Sequence, residues 1–141
     1  MQFATFYVDS LFFGIDVMQV QEVLRRQDLT PVPLASTVVE GLINLRGQII
    51  TAIDLRKRLN LSKRASDAPC MNIIIQTEEG PLSLVVDKVG DVIDLLEEDM
   101  EQTPSTLTKE QRAVVQGVYK LPKSLLLSLD YRKAMDIGRG L

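Results

Sequence analysis

Shifted by 76 residues, the 141-residue chain matches itself. VVEGLINLRGQIITAIDLRKRL, from Val38 to Leu59, aligns with VVQGVYKLPKSLLLSLDYRKAM, from Val114 to Met135, with seven of 22 positions identical. Gly41 falls on Gly117, Leu45 on Leu121 and Asp54 on Asp130, and each aspartate is followed by an Arg-Lys pair. A weaker echo, with a two-residue gap, aligns IDVMQVQEVL with VDKVGDVI and sets Asp16 on Asp87, Val20 on Val89, Glu22 on Asp91 and Val23 on Val92. The chain is therefore expected to hold two copies of one unit, approximately 1–60 and 70–137, within a single domain spanning 1–141. A unit of roughly 60 residues buries only about 60% of its surface when it folds alone. The two copies should consequently pack together across an apolar seam.

Each unit reads as strands that end in a capped helix. QFATFYV, LFFGI, GLINLR, QIITAI, MNIIIQT, PLSLVV, VQGVYKL and SLLLSL are short, apolar and rich in β-branched residues. Asp9-Ser10, Arg46-Gly47 and Glu79-Gly80 are the expected hairpin corners. Short strands at this spacing point to barrels or a sandwich, with few and brief helices. Asp54 and Asp130 suit the N-cap position, where a carboxylate accepts orphan backbone N–H groups and complements the helix dipole. Leu55 and Leu59, four residues apart, then face the core together.

Composition argues against catalysis. Histidine is absent, which removes the commonest general base and metal ligand. The single cysteine, Cys70, can form neither an intrachain disulfide nor a cysteine-rich metal site, and reads as an inert, partly buried thiol. No Walker loop, GxGxxG or GxSxG occurs. Catalytic residues, cofactor and metal are all expected to be none. A formal charge of −3, a pI near 5.0 and only seven aromatic side chains speak against nucleic acid as a partner. The basic stretch LRKRL, residues 55–59, reads as a solvated helix face, and the acidic run LLEEDMEQTP, residues 95–104, as a solvated linker. The opening residues lack the pattern of a secretory signal and no apolar run approaches membrane-spanning length, so a cytoplasmic protein without membrane insertion is expected.

The repeat also supplies a control for Arg46. Its counterpart is Pro122, and that of Gly47 is Lys123, whereas the neighbouring Leu45 is kept as Leu121. The fold therefore needs the leucine at this corner and not the arginine. A solvent-exposed turn arginine and a binding role specific to the first copy remain the two readings.

FGIDVMQVQEV (13–23), LTPVPLASTVVEGLINLRGQIITAIDLRKRL (29–59) and LSLVVDKVGDVIDL (82–95) together resemble the CheW family of chemotaxis coupling proteins in order, spacing and wording. The resemblance covers nearly the whole chain. It implies a mainly β fold of two intertwined, SH3-like five-stranded β-barrels around a shared hydrophobic core. It also implies a noncatalytic adaptor that couples the cytoplasmic tips of methyl-accepting chemoreceptors to the regulatory domain of a CheA-type histidine kinase. Such a protein would be cytoplasmic and recruited to membrane-associated receptor arrays. Carried over position by position, the receptor-binding groove includes Val20, Glu22, Asn44, Arg46 and Gly47, and an ion pair between Glu22 and Arg46 is expected. The resemblance leaves the kinase-binding residues unknown.

Two alternatives stand beside this reading. One is a CheW-like scaffold in a non-flagellar chemosensory pathway that binds other signalling partners without receptor contact. The other is an enzyme using Asp54, Asp87 or Asp130, which would require those carboxylates to cluster in a pocket.

Overall fold

The computed structural model describes residues 1–33 and 37–135. The end of the second repeat copy, beyond residue 135, lies outside them. Ten strands form two five-stranded sheets. In chain order these are β1 (Gln2–Val8), β2 (Leu11–Asp16), β3 (Val20–Arg25), β4 (Val39–Leu45), β5 (Gln48–Asp54), β6 (Met71–Thr77), β7 (Gly80–Val86), β8 (Lys88–Asp94), β9 (Val115–Lys120) and β10 (Leu125–Leu129). Three one-turn helices follow or separate them: α1 (Leu55–Arg58), α2 (Lys109–Arg112) and α3 (Tyr131–Met135).

The first sheet runs β8-β1-β2-β10-β9 and the second β3-β6-β7-β5-β4. Each copy of the repeat thus gives its opening hairpin to the other copy's strands. The exchange is reciprocal, and the registers repeat with it. β1 pairs antiparallel with β8 as β6 does with β3, and β2 lies parallel to β10 as β7 does to β5. Each sheet is joined across its open side by a single antiparallel bridge, Thr30 with Leu42 in one and Glu101 with Val118 in the other.

Those bridges explain the repeated glycine. A Cβ on Gly41 would lie 2.7 Å from the Thr30 carbonyl oxygen, and one on Gly117 would lie 2.6 Å from Met100 Cγ and Sδ and 3.0 Å from the Glu101 carbonyl oxygen. Both glycines sit where a second stretch of chain crosses the strand, against a backbone carbonyl at Gly41 and chiefly against the Met100 side chain at Gly117. One residue toward the N-terminus of each, the ladder shifts register, between Val39 and Gly41 in one sheet and opposite Ser128 and Leu129 in the other.

The helix caps form as the pattern predicts. Asp54 accepts from the Arg56 N–H at 2.9 Å, and Asp130 accepts from the Arg132 N–H at 3.1 Å. Leu55 and Leu59 are both buried. The largest core cluster draws on both sheets, with Phe6, Phe13 and Leu127 from one and Ile53, Ile75 and Leu84 from the other. Each sheet also keeps a smaller cluster of its own, around Ile43, Ile50 and Ile74 in one and around Phe3, Tyr119 and Leu126 in the other.

Three expectations need correction. The corner between β6 and β7 is Glu78-Glu79, with Gly80 already paired to Thr77. Thr77 Oγ1 accepts from the Glu79 N–H and donates to the Gly80 carbonyl, which closes the turn one residue early. Strands β3 and β8 escape the apolar pattern because both are half-exposed, and neither has a fully buried residue. Finally, LRKRL is not a solvated face. Arg56 is held by Asp87 and Asp9, Lys57 pairs with Glu40 at 2.9 Å, and Arg58 donates to the carbonyls of Lys133 and Ala134 at the end of α3.

Candidate functional site

The corner between β4 and β5 is a two-residue turn, since Leu45 pairs with Gln48. Arg46 and Gly47 both adopt positive φ, 51° and 83°, the conformation whose twist matches a tight hairpin. Asn44 reinforces the turn by accepting the Gly47 N–H on Oδ1 at 3.1 Å. The NLRG motif is therefore a rigid corner that projects the Arg46 side chain from a fixed base.

That side chain reaches Glu22. Arg46 Nη2 and Glu22 Oε2 form an ion pair, with the arginine side chain 67% exposed and the glutamate 27% exposed. β3 and β4 lie at opposite ends of their sheet order, so the pair spans the gap that closes the sheet on itself. Val20 opens β3 opposite Ile75, half-buried against the shared core, and a register shift places Glu22 opposite Ile74. All five residues named from the sequence thus belong to one corner of the second sheet, with Val20 and Glu22 on one side and Asn44, Arg46 and Gly47 on the other.

The corner also has an apolar margin that the motif itself does not mark. Ile49, opposite Asn44, is 59% exposed, Val23 follows Glu22, and Met18, two residues before Val20, is among the most exposed hydrophobics. The available signal was strand alternation: Ile50 is fully buried, which turns Ile49 outward.

The carboxylates considered for catalysis are otherwise engaged. Asp54 is buried and caps α1, and Arg64 lies 3.4 Å away. Burial pushes its carboxyl up, against the pull of Arg64 and the Arg56 N–H. Asp87 accepts from Arg56, Arg64 and the Asp9 N–H. Burial alone would raise its carboxyl, but these partners outweigh it and hold Asp87 below the ordinary value. Asp130 caps α3 in the other half. Asp54 and Asp87 are thus each engaged by arginines and by backbone N–H groups. Among the described residues no group of three or more metal-ligating side chains is placed to hold an ion.

A cleft of about 310 Å³ lies beside α1, lined by Arg26, Glu40, Lys57, Lys63, Arg64 and Cys70 among others, and includes none of the five corner residues. Cys70 is buried, with Arg26 Nε 3.2 Å from its sulfur. The corner itself is an exposed surface with a fixed ion pair and an apolar margin, which suits recognition of another protein.

A CheW-like domain matches residues 2–137. The chain belongs to the CheW family. It is 32% identical to the chemotaxis protein CheW of Treponema pallidum over 136 residues, covering 94% of this chain and 80% of that protein. It is also 32% identical to the CheW of Bacillus subtilis over 131 residues, covering 93% and 84%. Among solved structures, the scaffolding protein TtCheW from Thermoanaerobacter tengcongensis superposes with a TM-score of 0.81 at 31% identity, over 91% of this chain and 87% of that one. The fold is accordingly the paired SH3-like barrel of CheW proteins, and the chain is a noncatalytic CheW adaptor of chemotaxis. None of the described helices is long and apolar enough to cross a membrane.

Proposed function

We propose that this CheW adaptor couples the cytoplasmic tip of a methyl-accepting chemoreceptor to the regulatory domain of a CheA-type histidine kinase, and that the corner built from Val20, Glu22, Asn44, Arg46 and Gly47 takes the receptor. The observation that carries the reading is the exposed Arg46 and Glu22 ion pair, which joins two distant stretches of chain two residues along β3 from the half-buried Val20. A receptor tip is a helical hairpin, and helices dock through apolar anchors flanked by polar contacts that fix their register. Val20, Val23 and Ile49 supply apolar surface, and Arg46 and Glu22 supply the polar contacts. In this reading the kinase uses a separate surface, and receptor and kinase are held together at receptor arrays.

Calorimetric titration tests the assignment. A receptor-tip hairpin and the kinase regulatory domain should each bind the wild-type chain saturably. Arg46→Ala should weaken the receptor titration and leave the kinase titration unchanged. Equal affinity of wild type and variant for the receptor hairpin would remove Arg46 from the receptor surface.

A further inference from the structure

The other sheet carries a second surface with a different chemistry. From Val89 to Thr108 the chain holds six carboxylates, Asp91, Asp94, Glu97, Glu98, Asp99 and Glu101, and no lysine or arginine. Asp94 meets the N-terminal amino group and Glu101 meets Lys120, each at 3.4 Å. Glu97, Glu98 and Asp99 have no cation paired with them among the described residues. Two of them, Glu97 and Asp99, act on the neighbouring Tyr119, whose hydroxyl is pushed up chiefly by burial and further by these two charges.

Large apolar side chains stand among these charges. Leu96 is 58% exposed and Met100 39% exposed. Leu96, Glu97 and Glu98 line one shallow hollow, and Met1, Glu97, Met100 and Tyr119 help line another beside it. β8, which leads into this segment, lies at the end of its sheet order and pairs with β1 alone. The repeat again provides a control. The equivalent stretch before the Thr30 bridge, Arg26 to Thr30, contains one carboxylate and an arginine. The fold therefore does not require a run of acids there.

We propose that this face, with Leu96 and Met100 as apolar anchors and Glu97, Glu98 and Asp99 as rim, docks a basic amphipathic segment of a protein partner. The uncompensated carboxylates select cations and repel phosphate backbones and anionic bilayers. The exposed leucine and methionine supply the apolar contact that charge alone lacks, and methionine adapts to varied partner shapes. The surface shares no residue with the Val20 to Arg46 corner, so its failure and that of the receptor assignment are distinguishable.

The test is amide chemical-shift mapping on the full chain with two synthetic helical peptides of equal positive charge, one of leucine and lysine and one of serine and lysine. The leucine peptide should bind saturably with shifts centred on Val92 to Glu101, and the serine peptide about tenfold more weakly, a difference near 1.4 kcal/mol. Leu96→Ser and the double variant Glu97→Lys/Glu98→Lys alter exposed positions, and each should weaken the leucine peptide by a similar factor. Equal binding of the two peptides would reduce the surface to nonspecific charge and overturn the proposal. Shifts centred elsewhere, or none, would do the same. Shifts of these residues that depend on protein concentration without peptide would make a second copy the occupant instead.

Discussion

Arg56, on the helix that follows β5, donates from Nε to both carboxylate oxygens of Asp87, at 2.9 and 3.1 Å, where the chain passes from one sheet to the other. Asp9, at the tip of the β1-β2 hairpin, is 3.4 Å from the same guanidinium, and Arg64 closes the group from the loop after α1. The repeat produces a counterpart: Arg132, equivalent to Arg56, pairs with Glu78 at the tip of the β6-β7 hairpin. Each ion pair ties an exchanged hairpin to the helix that ends the other sheet. The two differ in burial, since the side chains of Arg56 and Arg64 are 15% and 8% exposed whereas that of Arg132 is 67% exposed.

The two ties should therefore contribute unequally. Asp87→Ala leaves two largely covered guanidinium groups without their shared partner and should cost about 3 kcal/mol. Arg132→Ala should hardly move the urea midpoint. Equal shifts in the two variants would contradict the burial argument.

Acid should loosen the same tie. The folded Asp87 carboxyl lies below its ordinary value of 3.8, so its contribution is fully present above that pH and is lost as pH falls from there through the folded value. Glu78, lowered chiefly by its hydrogen bond from Arg132, acts with the same sign. Asp54, raised by burial, acts with the opposite sign, because the folded chain holds its proton more tightly. Urea melts between pH 5 and 2.5 should show a falling midpoint, with a shallower slope in Asp87→Asn than in wild type. These pH bounds are about one unit either side of the usual carboxylate range.

The crossing glycines offer a paired test. Gly41→Ala drives a Cβ against a backbone carbonyl and should cost about 2 kcal/mol or more. Gly117→Ala meets chiefly the flexible Met100 side chain and should cost less. Thermal denaturation of both variants decides the order.

Arg46 separates stability from contact. Its guanidinium is mostly in water, so Arg46→Ala should melt with wild type. A lowered melting temperature would show that the pair braces the barrel.

Much of the fold was legible because the repeat marks equivalent positions: Gly41 with Gly117 and Asp54 with Asp130 perform the same tasks in both copies. The hairpin exchange was not legible from it, since a repeat says which strands correspond and not which strands pair. The engagement of Arg56 escaped for a similar reason. Its partners Asp9 and Asp87 come from remote turns, and three adjacent cations look solvated until those turns are brought in. The residues of the corner were named through the family resemblance. The ion pair between Glu22 and Arg46 forms as expected, while Ile49 was missed although strand alternation turns it outward.

The adaptor reading rests most directly on bridging. Light scattering on a size-exclusion column should be recorded for the receptor fragment with the kinase regulatory domain, with and without this chain. Co-elution of all three as one species only when the chain is present is the expected result. Receptor fragment and kinase domain eluting apart in its presence would contradict coupling and leave only the family fold.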